Sequence, residues 1–236
     1  MSKLSHYLFI LIILMSHSAY AGIVVTGTRV VYPADKAEVT VNMSNKGEHP
    51  ALVQSWIDTG DPHQSPQQIK VPFVIVPPIT RIDGGKGQTL RLLYTGEALP
   101  KDRETIFWLN ILAVPPKSAA ADKNYLNAAF QTRLKLFFRP VGLKPNPKAA
   151  PESLQWRTEN GQLVVHNPTP YHISLVSVAD THTPHRFEQA GEMVAPFSSL
   201  TLTGKKVGVP SGVNKLAYST VGDMGEVLEF EKALTQ

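Results

Sequence analysis

The stretch NYLNAAFQTRLKLFFRP, residues 124–140, decides the fold. Its even positions Leu126, Ala128, Phe130, Leu134, Leu136 and Phe138 are apolar, with Thr132 the exception, while Tyr125, Asn127, Gln131, Arg133, Lys135 and Arg139 make the odd positions mostly polar. Successive side chains of a strand point to opposite faces, so this period of two predicts one long β-strand with a single apolar face. The pattern extends over more than twice the roughly 5–6 residues of an ordinary strand. Such a strand either lies centrally in a β-sandwich or keeps part of one edge open. An open edge offers unpaired N–H and C=O groups beside apolar side chains, which invites aggregation and can also recruit a strand from another chain.

Working outward, residues 105–113 (TIFWLNILA) predict a strongly apolar strand stopped by Pro115-Pro116, with a short loop at 117–123 before the long strand. Further upstream, residues 22–32 (GIVVTGTRVVY), 38–43, 51–58, 73–76 and 88–94 read as strands separated by turn-forming segments. Pro77-Pro78 bars central-strand pairing where it follows residues 73–76. Downstream of Pro140 the composition changes to VGLKPNPKAAPES, whose prolines Pro145, Pro147 and Pro151 mark a domain boundary. A second set of strands is predicted at 154–157, 162–166, 173–179, 200–202, 214–220 and 226–231, and no run supports a helix of a dozen residues. The expected architecture is all-β, with two sandwich domains at 22–140 and 141–236.

Residues 1–21 read as a secretory signal peptide. Lys3 supplies positive charge, residues 7–15 an apolar run, and Ala19-Tyr20-Ala21 a small-x-small cleavage site. The run is too short for a comfortable membrane span, so the mature chain is expected outside the cytoplasm without membrane insertion. Loss of Lys3 lowers the formal charge from +4 to +3, and the remaining basic residues are scattered rather than gathered on one face, which excludes a nucleic-acid partner. The sequence has no cysteine, so each domain must be held by its core alone.

Catalytic chemistry finds no support. There is no Gly-x-Ser-x-Gly elbow, no thiol nucleophile and no phosphate-cradling glycine loop. The nearest approach to a metal motif is His182-Thr-Pro-His185, with His166 and His172 nearby in sequence, and loop histidines of this kind read as solvated polar residues. Asp58 and Asp61 flank a turn and are assigned turn chemistry. No metal and no cofactor is expected, and the chain is not expected to be an enzyme.

The segment LPKDRETIFWLNILAVPP, residues 99–116, resembles the signature of the periplasmic pilus chaperones of the chaperone–usher pathway, through Leu99, Pro100, Asp102, Arg103, Glu104, Phe107, Trp108, Asn110, Ile111 and Pro115-Pro116. Thr28-Arg29-Val30, Pro77-Pro78 followed by Arg81, residues 135–140 (KLFFRP) and Asn167-Pro-Thr-Pro-Tyr171 resemble further family segments in the family's order. The short 117–123 loop, without a cysteine pair, resembles the family's short-loop branch, and the second-domain disulfide of some members cannot form here.

The resemblance implies two immunoglobulin-like domains in an L-shape with a cleft between them. By this likeness, Arg29 and Lys135 would grip the C-terminal carboxylate of a pilus subunit. Leu126, Ala128 and Phe130 would be lent to the subunit as a donor strand. Glu104, Arg139 and Asp223 would form a charged trio between the domains. The implied location is the periplasm, and the implied partners are pilus subunits and the outer-membrane usher, with self-association in the absence of subunit left open. An alternative of another class is a secreted two-domain immunoglobulin-like adhesin or carbohydrate-binding module. That reading would require exposed loop aromatics, whereas Trp56, Trp108 and Trp156 fall in predicted strands where burial is expected.

Overall fold

A computed structural model describes residues 22–116, 128–181, 186–187, 191–202 and 213–235. The proposed signal peptide, Leu126 and the His182/His185 pair lie outside the described residues. The first domain contains β1 (Ile23–Val25), β2 (Arg29–Pro33), β3 (Glu38–Asn45), β4 (Ala51–Asp58), β5 (Phe73–Val76), β6 (Ile79–Ile82), β7 (Gly87–Tyr94), β8 (Thr105–Val114) and β9 (Phe130–Arg139). They form a sandwich of two sheets ordered β1-β3-β7-β5 and β2-β9-β8-β4-β6. Alternation sends Phe107, Leu109 and Ile111 of β8 and Leu134, Leu136 and Phe138 of β9 into the core between the sheets. Fully enclosed Tyr32 stacks on Phe138 with ring centroids 5.9 Å apart, and its hydroxyl donates to the carbonyl of Ala37 at 3.0 Å.

Two strands differ from the sequence expectation. The continuous strand expected at 22–32 is broken at Gly27, whose φ of +89° suits glycine and turns the chain. As a result β1 pairs with β3 in one sheet, while β2 crosses to the other sheet and runs parallel to β9 from Arg29↔Lys135 to Pro33↔Arg139. The long strand of the sequence reading starts only at Phe130. Phe130 lies opposite Ala113, and β8 runs only one residue further, to Val114, before Pro115-Pro116. β2 therefore covers only the Lys135–Arg139 half of β9. Residues 130–134 are paired with β8 on one edge, and among the described residues no strand covers the other.

The second domain comprises β10 (Gln155–Glu159), β11 (Gln162–Asn167), β12 (Ile173–Asp180), β13 (Arg186–Phe187), β14 (Met193–Val194), β15 (Ser198–Thr201), β16 (Lys215–Val221) and β17 (Val227–Thr235). Its core gathers Trp156, Leu163, Val165, Leu175, Leu216 and Tyr218. β17 pairs with β16 along its length and with β10 at its end, where Trp156 lies opposite Leu234, linking the domain's strands into one hydrogen-bonded path. The short strands β6, β13 and β14 escaped the sequence reading because two to four residues carry too little alternation to register. Among the described residues the only helical segments are the short 3₁₀ turns Pro66–Gln68 and Ala150–Ser153. None of the described helices is long and apolar enough to cross a membrane.

Candidate functional site

Arg29 and Lys135 lie side by side because β2 and β9 pair in parallel with these two residues in register. Both are half-buried, and both reach across to the second domain. Arg29 Nη1 donates to the Val221 carbonyl at 2.9 Å, and Lys135 Nζ donates to Ser174 Oγ at 3.1 Å. Their partners are thus a carbonyl and a hydroxyl rather than carboxylates. Burial pushes the Lys135 ammonium below the ordinary lysine pKa, the neighbouring Arg29 charge pushes it further, and Glu192 opposes the shift. Burial likewise lowers the Arg29 value against the attraction of Asp223, Glu226 and Glu104. Arg29 Nε is buried and has no hydrogen-bond partner among the described residues. Two partly desolvated cations whose hydrogen-bond partners, the Val221 carbonyl and Ser174 Oγ, are neutral can take an anion through charge-assisted hydrogen bonds.

Below this pair the structure brings together Glu104, Arg139 and Asp223. Arg139 Nε donates to Glu104 Oε1 at 2.7 Å, while its two Nη atoms donate to the Asp223 carboxylate at 2.6 and 2.7 Å. Glu104 belongs to the first domain and Asp223 to the turn between β16 and β17, so the guanidinium ties the two domains. Burial works against the Arg139 charge, but hydrogen bonding and attraction from Asp223 and Glu104 outweigh it and hold the group above its ordinary pKa. Glu104 is also bound by the second domain through the His172 backbone N–H at 2.8 Å. The Asn167-Pro-Thr-Pro-Tyr171 segment shapes this approach. Buried Asn167 donates to the Tyr171 and Ala195 carbonyls at 2.7 and 3.0 Å, fixing the loop whose Pro170 carbonyl accepts the Glu104 N–H at 2.9 Å. A cavity of about 220 Å³ lies between the domains, lined in part by Arg29, Glu104, Arg139, His172, Thr220 and Asp223.

The proposed donor residues fare differently. Phe130 is 74% exposed on β9, on the face that continues the buried Leu134, Leu136 and Phe138. Ala128 is half-buried just before the strand, and both it and Phe130 line an apolar groove of about 660 Å³ with Ile23, Ile111 and Ala113.

Several residues were missed or misread from sequence. Phe137 interrupts the polar face of β9. It is buried against the second domain, with its ring 5.6 Å from that of His172 and the Arg29 guanidinium 5.9 Å away. That interruption is visible in the sequence and marks the contact. Asp58 does close a turn by accepting the Gly60 N–H at 2.7 Å, but it is only 1% exposed and also accepts from Asn110 Nδ2 and Arg133 Nη2, each at 2.6 Å. Its role therefore extends beyond turn chemistry. Of the tryptophans, Trp156 is buried as expected, while Trp56 and Trp108 are half-buried because they point outward from the five-stranded sheet. Among the described residues no cluster of His, Asp or Glu is arranged to hold a metal.

Residues 22–144 match the family model of the pili and flagellar-assembly chaperone, PapD N-terminal domain, and residues 149–232 that of the pili assembly chaperone PapD, C-terminal domain. The chain belongs to the PapD family of pilus-assembly chaperones. This chaperone is 42% identical over 229 residues to the probable fimbrial chaperone YadV of Escherichia coli strain K12, covering 94% of the chain and 93% of the relative. It is likewise 42% identical over 226 residues to chaperone protein FimB/FhaD of Bordetella pertussis, covering 93% and 91%. The crystal structure of YadV superposes with a TM-score of 0.76 at 41% identity, over 91% of this chain and 100% of that one. A structure of Salmonella enterica SafA pilin in complex with the SafB chaperone gives 0.78 at 29% identity, over 93% and 99%. The chaperone is thus a two-domain immunoglobulin-like protein of the chaperone–usher pathway and not an enzyme, which sets aside the adhesin reading.

Proposed function

We propose that this chaperone works in the periplasm, holding immature pilus subunits by donor-strand complementation and delivering them to the outer-membrane usher. The subunit's C-terminal carboxylate sits between Arg29 and Lys135, and its terminal strand pairs along the uncovered edge of β9. Phe130, with Leu126 and Ala128 before it, fills the groove of a subunit that lacks its own last strand. Pinning the terminus fixes the register of that pairing, since a slip by one residue would turn every apolar side chain to the wrong face. Arg139, Glu104 and Asp223 set the angle between the domains and hence the position of Arg29 relative to Val221. The observation that carries this reading is the placement of a registered cation pair at the point where β2 stops covering β9. Its test is co-expression of the mature chain with a pilus subunit encoded beside it. Wild type is expected to protect and co-purify the subunit, and Arg29→Ala and Lys135→Ala to lose it while keeping a wild-type circular dichroism spectrum. Full recovery of the subunit with both variants would refute the anchor.

A further inference from the structure

The outer face of the five-stranded sheet carries a continuous polar array that ends at the anchor. Gln131 Nε2 donates to Asn110 Oδ1 at 2.8 Å, Asn110 Nδ2 donates to Asp58 Oδ2 at 2.6 Å, and Arg133 Nη2 donates to Asp58 Oδ1 at 2.6 Å. The Arg133 guanidinium then lies 4.4 Å from the centre of the Trp108 ring, and Lys135 Nζ lies 5.9 Å from the same centre. Backbone register explains the juxtaposition: Trp108 is opposite Lys135, Asn110 is opposite Arg133, and Asp58 is opposite Trp108. Arg133 and Lys135 are two apart on one strand, so both project on the same side. The indole is therefore shared by two cations, one of them tied to a carboxylate that is almost completely buried.

We propose that Arg133 is a positioning residue of the anchor: fixed by Asp58, it holds the Trp108 ring, and the ring holds Lys135 in the orientation that meets a carboxylate beside Arg29. An unrestrained lysine has many rotamers and loses that freedom on binding, whereas an ammonium already held between a fixed ring and Ser174 Oγ loses less. The choice of arginine at 133 fits this role, because a planar guanidinium can bond a carboxylate in its plane and stack on an indole with its face. Arg133 itself does not touch the ligand, since its charge is committed to Asp58 and its face to Trp108. The inference rests on the carboxylate-anchor reading and deepens it by adding Arg133, Asp58 and Trp108 to the machinery.

The test separates the two claims. The probe is a synthetic peptide with the C-terminal sequence of a pilus subunit encoded beside this chaperone, made as the free acid and as the C-terminal amide. Both forms are titrated calorimetrically into the full mature chain. Wild type is expected to prefer the acid, and equal binding of the two forms overturns the anchor reading and this inference with it. Given that preference, Trp108→Leu and the paired change Asp58→Asn with Arg133→Gln are expected to weaken acid binding about tenfold while leaving amide binding unchanged. Trp108→Phe, which keeps a ring face, is expected to retain the wild-type acid-to-amide ratio. If Trp108→Leu and the paired change keep that ratio, or weaken acid and amide equally, Arg133 has only a structural role and the inference fails while the anchor reading stands. The paired change leaves no buried charge without a partner, and Trp108→Leu, which keeps the Asp58 hydrogen bonds, decides the test if the paired variant does not keep a wild-type circular dichroism spectrum.

Discussion

Replacing Arg139 by alanine tests the joint between the domains. The Glu104 side chain is 1% exposed and Arg139 16%, whereas Asp223 is 41% exposed. Removal of the guanidinium leaves the Glu104 carboxylate with the His172 N–H at 2.8 Å and the imidazole at 3.4 Å as its remaining partners. Breaking a buried pair in this way costs about 3–5 kcal/mol, because one charge stays buried without its counterion. Freed Asp223 turns to water, so its half of the network adds at most about 1 kcal/mol. At about 2–4 °C per kcal/mol for a chain of this size, Arg139→Ala, which loses both halves, lowers the melting temperature by about 6–24 °C, and Asp223→Ala by no more than about 4 °C. Differential scanning calorimetry is the suitable assay, since it also reveals whether the domains begin to melt separately once the tie is cut. Equal melting temperatures for the two variants, or an Arg139→Ala melt within about 2 °C of wild type, would refute the assignment of the main stabilisation to the Arg139–Glu104 pair.

Phe130→Ser should leave the melting temperature of the free chaperone unchanged, because that ring is 74% exposed. It should weaken subunit binding about ten- to a hundredfold through the loss of about 1.5–3 kcal/mol of burial, measured by competition for a purified subunit. A destabilised free protein with unaltered subunit binding would place Phe130 in the chaperone's own core. A second prediction concerns pH. Burial and Arg29 depress the Lys135 pKa in the free protein, and a bound carboxylate would raise it again, so binding takes up protons in the alkaline range. Affinity for a free-acid peptide should therefore fall as pH rises through the depressed Lys135 value, and Lys135→Arg should flatten that fall. The same shift makes burial of the charged ammonium a cost to the fold that is relieved only as pH rises past that value. A flat affinity profile for wild type up to the ordinary lysine pKa of about 10.4 would contradict the depressed anchor.

The β architecture was legible because period-two alternation is a local signal. TIFWLNILA and the second half of residues 124–140 both become strands at the positions where their apolar residues alternate. Strand ends were less legible, because they depend on partners. The first strand breaks where Gly27 turns it into another sheet, and β9 begins at Phe130, opposite Ala113 near the proline-terminated end of β8. The anchor and the interdomain trio were read from family likeness, not from spacing: Arg29 and Lys135 are far apart in sequence and meet only through a parallel pairing that no local pattern encodes. The Asp58–Arg133 pair escaped for the same reason. A turn-like aspartate gives no hint of a partner on another strand, although Asn110, the polar residue in the middle of the apolar TIFWLNILA, marks where one is needed. Phe137 shows the converse case, an apolar residue on a polar face that marks a second buried surface.

The lending of the β9 edge is tested most directly by residue-resolved amide hydrogen exchange on the isotope-labelled chaperone, free and in complex with a pilus subunit. Those amides of residues 130–134 that point away from β8 should exchange rapidly in the free protein and become strongly protected in the complex. If they keep the same exchange rates in both states while protection appears on another surface, the subunit docks elsewhere and strand donation from β9 is wrong.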